Sequence, residues 1–289
     1  AMNEDNEPRK KRVPPRPSDY LKGDSPLKRA QEKMARVLVW IYLHGFSTAE
    51  IIREVSRQKA RGYAKRLVDA GLLVETRTEA GGFVRSTPVN YYTLSATGLE
   101  EAERQSQVHI PYPEIDPWRV DQKKLRHGII VQELTWFVVS LQLVEDYRTE
   151  RMIGIGGDKS KVKRPDAVFI ETDRSRTAIE VELSGKWERD LDDFIHKIIA
   201  ALYCDGVGTG RYDRFHIISD QRKILDRYKE AMQPGAQLSV WAKSSRNRWE
   251  RHTTGEVPKW LCEQVSFLLY PDVVVTKLLT SPSSGQSRG

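Results

Sequence analysis

Two short apolar runs, PDAVFIE (165–171) and TAIEVELSG (177–185), flank the polar stretch TDRSR (172–176). Each run is too short for a helix that could bury itself, and the spacer suits a turn, so the pair reads as a strand hairpin. On a strand, residues two apart share a face. Glu180 and Glu182 therefore point one way, and Ile179, Val181 and Leu183 the other. Asp166 opens the first strand. A hairpin with one apolar face and carboxylates on the other needs covering elements around it, which 289 residues can supply as one large domain or two ordinary ones.

The N-terminal side has a different pattern. Residues 1–26 carry Pro8, Pro14, Pro15, Pro17 and Pro26 among mixed charges and read as a disordered arm. Leu27 to Leu43 has helical apolar spacing and closes at Gly45. Ser47 or Thr48 caps a short helix, TAEIIREVSR, and QKARGYAKRLVDA (58–70) forms a third. A strand, a Gly81-Gly82 turn, a second strand near Tyr91 to Leu94 and the helix GLEEAERQ follow. Residues 28–66 hold ten Lys or Arg against Glu32, Glu50 and Glu54, which accounts for the whole net charge of +7. Such a block is an electrostatic footprint for nucleic acid, or simply a solvated helix face.

This order resembles a winged helix-turn-helix, with KRLVDAGLLVE as the end of the recognition helix and YYTLSATGLEEAE as the exit from the wing. The third helix exposes Lys59, Arg61, Lys65 and Arg66 to a major groove and its phosphates, and the wing offers Arg77 and Arg85. A winged helix that contacts protein instead of DNA is the competing reading. The winged helix is expected over 27–106, with a Pro-rich linker at 107–120.

From Asp121 a long amphipathic helix is expected, then a strand over Arg151 to Ile155, the loop GGDKSKVKR and the hairpin. Helix 187–206 is expected to bury Leu191, Phe194, Ile195, Ile198 and Leu202, with the strand RFHIISD after it. The expected fold class is α+β or α/β: the winged helix followed, over 121–279, by a mixed sheet flanked by helices. A disordered tail closes the chain at 280–289. Within 240–251, Trp241 and Trp249 alternate with Lys243, Arg246, Arg248 and Arg251. That pattern suits base stacking beside a charged track, and equally a packed strand edge with solvated arginines.

The hairpin acids fit phosphodiester chemistry. A hard cation polarises phosphate and lowers the pKa of a nucleophile, and Mg²⁺ and Mn²⁺ prefer carboxylate and carbonyl oxygens. Asp166, Glu180 and the carbonyl of Val181 are candidate oxygens, and a lysine nearby can orient water or offset charge. Pro165-Asp166 followed by Glu180-Val181-Glu182 resembles the PD-(D/E)XK nucleases, whose sheet is of the restriction-endonuclease type. The resemblance implies Asp166 and Glu180 as metal ligands, with Glu133 on the preceding helix as a further one. The usual pattern has lysine where Glu182 stands, so Lys186, or Lys197 from the next helix, is the proposed substitute. His127, six residues before Glu133, does not share a clean helical face with it.

Other chemistries are excluded by what the sequence lacks. It has no phosphate-cradling Walker loop, no nucleophile elbow and no His-hydrophobe-His pair. Cys204 and Cys262 fit no zinc spacing. No apolar run nears the roughly 18 residues of a membrane span, and no apolar stretch follows the basic run Arg9–Arg12. The expectation is a cytoplasmic chain with no membrane partner.

The order of winged helix, Pro-rich linker, PDAVFI and AIEVELSGK resembles the MOBC-class plasmid mobilization relaxases of the replication-relaxation family, over about residues 28–275. That resemblance implies an endonuclease that binds a plasmid transfer origin and nicks one strand with Mn²⁺ or Mg²⁺. An accessory mobilization or coupling protein is a possible partner. Carried over, Asp166 and Glu180 bind metal, Glu182 is a supporting acid and Lys186 assists catalysis. Two alternatives stay open: a transposition or restriction-like endonuclease making double-strand cuts, and a non-catalytic DNA-binding regulator on a degraded nuclease fold.

Overall fold

A computed structural model describes residues 25–58, 61–83, 87–154, 163–203 and 211–272. The expected arm and tail lie outside these, apart from Ser25 and Pro26, as do Lys59, Arg85 and Cys204.

The chain is mixed α and β. Helix α1 (Pro26–His44) starts where Ser25 accepts a hydrogen bond from the Lys28 N–H at 3.1 Å and Pro26 takes the first turn, where its missing N–H costs nothing. It ends at Gly45, whose φ of 88° is open to glycine. Thr48 caps α2 (Ala49–Val55). Helix α3 (Tyr63–Asp69) is shorter than the sequence suggested. Gly62 stands before it at φ 90°, a left-handed conformation that cannot continue a helix and so sets its start. Strands β1 (Leu73–Arg77) and β2 (Asn90–Leu94) pair antiparallel, Leu73 opposite Leu94. Helix α4 (Ala96–Gln105), capped by Ser95, returns to pack on α1.

The stretch read as a linker is instead part of the packing. Three short 3-10 turns carry it from Pro113 to Lys124. Ile110, Tyr112 and Val120 are buried. The Tyr42 hydroxyl donates to the Ile110 carbonyl and accepts from its N–H, both at 2.8 Å, and the Tyr112 hydroxyl donates to the Gly45 carbonyl at 2.7 Å. Proline marked the loss of helix and strand, but aromatic anchors on both sides hold the segment down.

Helix α5 (Leu125–Ser140) follows, then β3 (Val144–Thr149) and the single turn α6 (Glu150–Ile153). The strand expected at Arg151 to Ile155 is therefore displaced. Thr149 caps a helical turn at that point through the Met152 N–H, and the strand lies before it. Strands β4 (Ala167–Glu171) and β5 (Arg176–Val181) form the anticipated hairpin, with Asp173 accepting from the Ser175 N–H at 2.8 Å in the turn. Then come α7 (Glu188–Leu202), β6 (Arg214–Ser219), α8 (Arg222–Ala231), the pair β7 (Gln237–Lys243) and β8 (Trp249–Glu256), α9 (Leu261–Gln264) and β9 (Val265–Leu269).

The main sheet has the order β3-β4-β5-β6-β9, antiparallel on the β3 side and parallel from β5 to β9. Its two faces bury different helices. Ala167, Phe169, Ile179, Val181 and Ile218 pack under α5. Val168, Ala178, Phe215 and Ile217 pack under α7 and α8. The alternation in β5 that separated Ile179 and Val181 from Ala178 thus divides two helical layers. The N-terminal helices join this body through α5 and the end of β3. Trp40 donates to the Gln132 side chain at 2.9 Å, and Thr149 donates to the Leu43 carbonyl at 2.9 Å. Among the described residues no helix is long and apolar enough to cross a membrane.

Candidate active site

The acids collect where β4 begins and β5 ends. Asp166 is fixed by its backbone, donating to the Ile179 carbonyl at 2.9 Å and accepting from the Glu150 N–H at 3.0 Å. Its Oδ2 accepts from the Val181 N–H at 2.7 Å and meets His127 Nε2 at 3.0 Å. Burial opposes protonation of His127, but the hydrogen bond to Asp166 and that acid's charge outweigh it and raise the ring's pKa above 6.5.

Glu180 lies on the α7 face of β5 and is only 4% exposed. Its Oε1 pairs with Lys163 Nζ at 2.5 Å, while its Oε2 is buried with no hydrogen-bond partner among the described residues. Desolvation first, and the charge of Asp166 second, push its pKa well above 4.5 despite Lys163. Lys163 in turn is held protonated by Glu180 against the cost of its own burial.

Glu182 shares that face, as the strand period requires. It is paired with Lys186, and the Tyr228 hydroxyl donates to its Oε2 at 3.3 Å. The Lys186 N–H also donates to the Tyr228 oxygen at 3.2 Å. Both ammonium groups lie over the Phe194 ring, Lys186 at 4.6 Å and Lys163 at 5.8 Å from its centroid. A Cβ on Gly185 would stand 2.3 Å from the Arg227 guanidinium, which would have to move aside.

The structure thus brings Asp166, Glu180, Glu182 and Lys186 into one cluster and adds His127 and Lys163. It does not bring in Glu133. Six residues along α5 from His127, Glu133 is about 9 Å further up the axis and turned to another side. It accepts from the Tyr270 hydroxyl and lines a separate cavity with Thr48, Glu50 and Arg126. Lys197 is also elsewhere, its Nζ on Asp193 at 2.6 Å, although its carbonyl accepts from the Lys163 N–H at 3.5 Å. The two residues that sequence reasoning missed left signals. His127 was measured against Glu133 when its partner is Asp166, and Lys163 sits in the basic run KVKRPD just before that acid.

Of the expected DNA contacts, Arg61, Lys65, Arg66 and Arg77 are exposed. Lys65 pairs with Asp69 at 3.0 Å, and the Arg66 guanidinium lies 5.1 Å from the Tyr63 ring centroid. Lys59 and Arg85 lie outside the described residues.

Among the described residues no group of three or more His, Cys, Asp or Glu side chains is placed to hold a metal ion. The donors present are a carboxylate pair, one member with a buried oxygen left unpaired. A hard cation that keeps several of its waters needs only one or two such carboxylates.

No family model matches the chain, and no curated protein matches it. A solved structure, protein VC1899 from Vibrio cholerae, is similar at 10% identity over 73% of this chain, with a TM-score of 0.27. The match covers 51% of that protein, so this chain spans about half of its length.

Proposed function

We propose that the chain is a metal-dependent DNA endonuclease that nicks one strand at a plasmid transfer origin. In this reading residues 27–106 are a winged helix that positions duplex DNA, and the five-stranded sheet is a PD-(D/E)XK nuclease-like core of the MOBC relaxase kind. The observation that carries it is Glu180, buried beside Asp166 with one carboxylate oxygen unpaired. A buried carboxylate oxygen without a partner costs stability, and such costs concentrate at functional sites.

Asp166 and Glu180 would hold the cation. Mn²⁺ or Mg²⁺ bound there supplies charge to polarise the scissile phosphate and acidify a nucleophile. The remaining roles belong to the chain. His127 and the Val181 N–H fix which way Asp166 points. Lys163 opposes the rise in the pKa of Glu180 and so favours the ionised, ligating form of the acid. Tyr228 and Lys186 orient Glu182, which leaves Lys186 two tasks, holding that acid and offsetting charge on phosphate. The lysine function of the motif is thereby divided between Lys163 and Lys186, neither on the strand position that the motif uses.

A second reading, a non-catalytic DNA-binding regulator, is favoured by the same two lysines, because each already neutralises an acid of the cluster. Supercoiled plasmid carrying the chain's own origin separates the readings. With Mn²⁺ or Mg²⁺ the protein converts it to open circles, and Asp166→Ala abolishes the conversion. Intact plasmid with wild-type protein, or nicking that survives in Asp166→Ala, overturns the nuclease reading. Linear product without an open-circle intermediate would assign double-strand cutting instead.

A further inference from the structure

The tryptophan and arginine pattern of 240–251 has no part in the acid cluster, yet the fold places it next door. Trp187 directly follows Lys186, and the Arg227 guanidinium of α8 lies 3.1 Å from its ring centroid. Two residues on, Arg189 stands 4.8 Å from the ring of Trp249 on β8. Lys243, cross-strand from Trp249 on β7, approaches the same ring at 5.5 Å. Beyond it Trp241 and Arg251 form the next cross-strand pair on the same face, the guanidinium 5.3 Å from the ring centroid. Aromatic rings and cations therefore alternate from the mouth of the cluster along the hairpin.

These rings are not core. Trp187 is 65% exposed and Trp249 46%, and every residue of β8 is exposed. Trp241 differs, its indole N–H fixed on Asp192 at 2.7 Å, so it anchors the hairpin to α7. The hairpin's own charge is positive, with Lys243, Arg246, Arg248 and Arg251 against Glu250 and Glu256. Asp190 and Asp192 on α7 are engaged with Arg189 and Trp241. Trp187 is steadied by one cation and Trp249 by two, their exposure leaves ring surface open for stacking, and the cations offer contacts to a backbone of phosphates.

We propose that this face binds a single strand of DNA, stacking bases on Trp187 and Trp249 and leading the strand toward the Asp166 and Glu180 cluster. A duplex buries its base faces and gains nothing from the tryptophans, whereas an unpaired strand can stack on them. The choice of DNA rests on the proposed nicking activity; the stacking surface does not.

Binding of the full chain in EDTA tests it, since cleavage then plays no part. Fluorescence anisotropy is read for a labelled oligothymidine of about 20 nucleotides and a duplex of equal length, at one fixed salt concentration. The pair Trp187→Ala and Trp249→Ala lowers single-strand affinity by roughly thirtyfold or more and leaves duplex affinity within about twofold. Trp187→Phe with Trp249→Phe, which keeps an aromatic face, retains most of it. Unchanged single-strand affinity in the alanine variant, or equal losses for both DNAs, overturns the proposal. A protein that fails to nick plasmid but shows the selective loss keeps this surface and loses only the nuclease reading.

Discussion

The helical N-terminal unit and the main sheet are both closed by aliphatic and aromatic packing, but they differ in what else they bury. Around α1 the buried polar side chains include the neutral Ser47, Thr48 and Thr93, and burial lowers the pKa of His44 to about 3, so its ring is uncharged as well. In the sheet, Glu180, Glu182 and His216 are buried on β5, just past its end and on β6. A neutral group left without a partner among the described residues, such as the Ser47 and Thr93 hydroxyls, costs far less than a buried carboxylate, which must be ionised against desolvation or neutralised. The N-terminal unit therefore buries neutral groups and keeps Arg61, Lys65, Arg66 and Arg77 exposed. The sheet gives up stability at one end of a hairpin, and chemistry is the reason to look for there.

Core truncation in the first region should have the largest effect. Leu38 is fully buried in the α1 cluster, and Leu38→Ala should lower the unfolding free energy by about 2–5 kcal/mol, measured by urea titration. A loss well under that range would mean the unit is loosely packed and less distinct from the sheet than described.

The second region should respond in the opposite direction. The pKa of Glu180 is raised in the folded state, so folding is favoured by its proton. That contribution is fully present below pH 4.5 and is lost as pH rises through the raised value. Glu180→Gln should therefore stabilise the protein at neutral pH, within the roughly 0.5–2 kcal/mol of a single favourable change, and the gain should vanish below about pH 4.5. Destabilisation at neutral pH would show that the Lys163 pair outweighs the desolvation.

How much of each region could be read from the chain follows from the same difference. The α1 helix, the β1–β2 pair and the β4–β5 hairpin were legible because caps, glycines and periods of 3.6 or 2 are local signals. So was the shared face of Glu180 and Glu182. The strand β3 was misplaced because Thr149 and Glu150 start a helical turn whose apolar residues, Met152 and Ile153, also suit a strand. The linker reading failed on Tyr42 and Tyr112, whose hydrogen bonds to Ile110 and Gly45 join positions far apart in sequence. Glu133 failed likewise: its distance from Asp166 is set by the packing of α5, which no spacing within the helix reveals. His127 meets Asp166 only through that packing, and Lys163 reaches Glu180 of β5 from the segment before β4.

Mn²⁺ binding, followed by the electron paramagnetic resonance of the free ion during titration, separates these placements most directly. Wild-type protein and Glu133→Ala should take up Mn²⁺ alike, while Asp166→Ala and Glu180→Ala lose it. Uptake by Asp166→Ala and Glu180→Ala equal to wild type, or its loss in Glu133→Ala alone, would contradict a metal site built on the ends of β4 and β5.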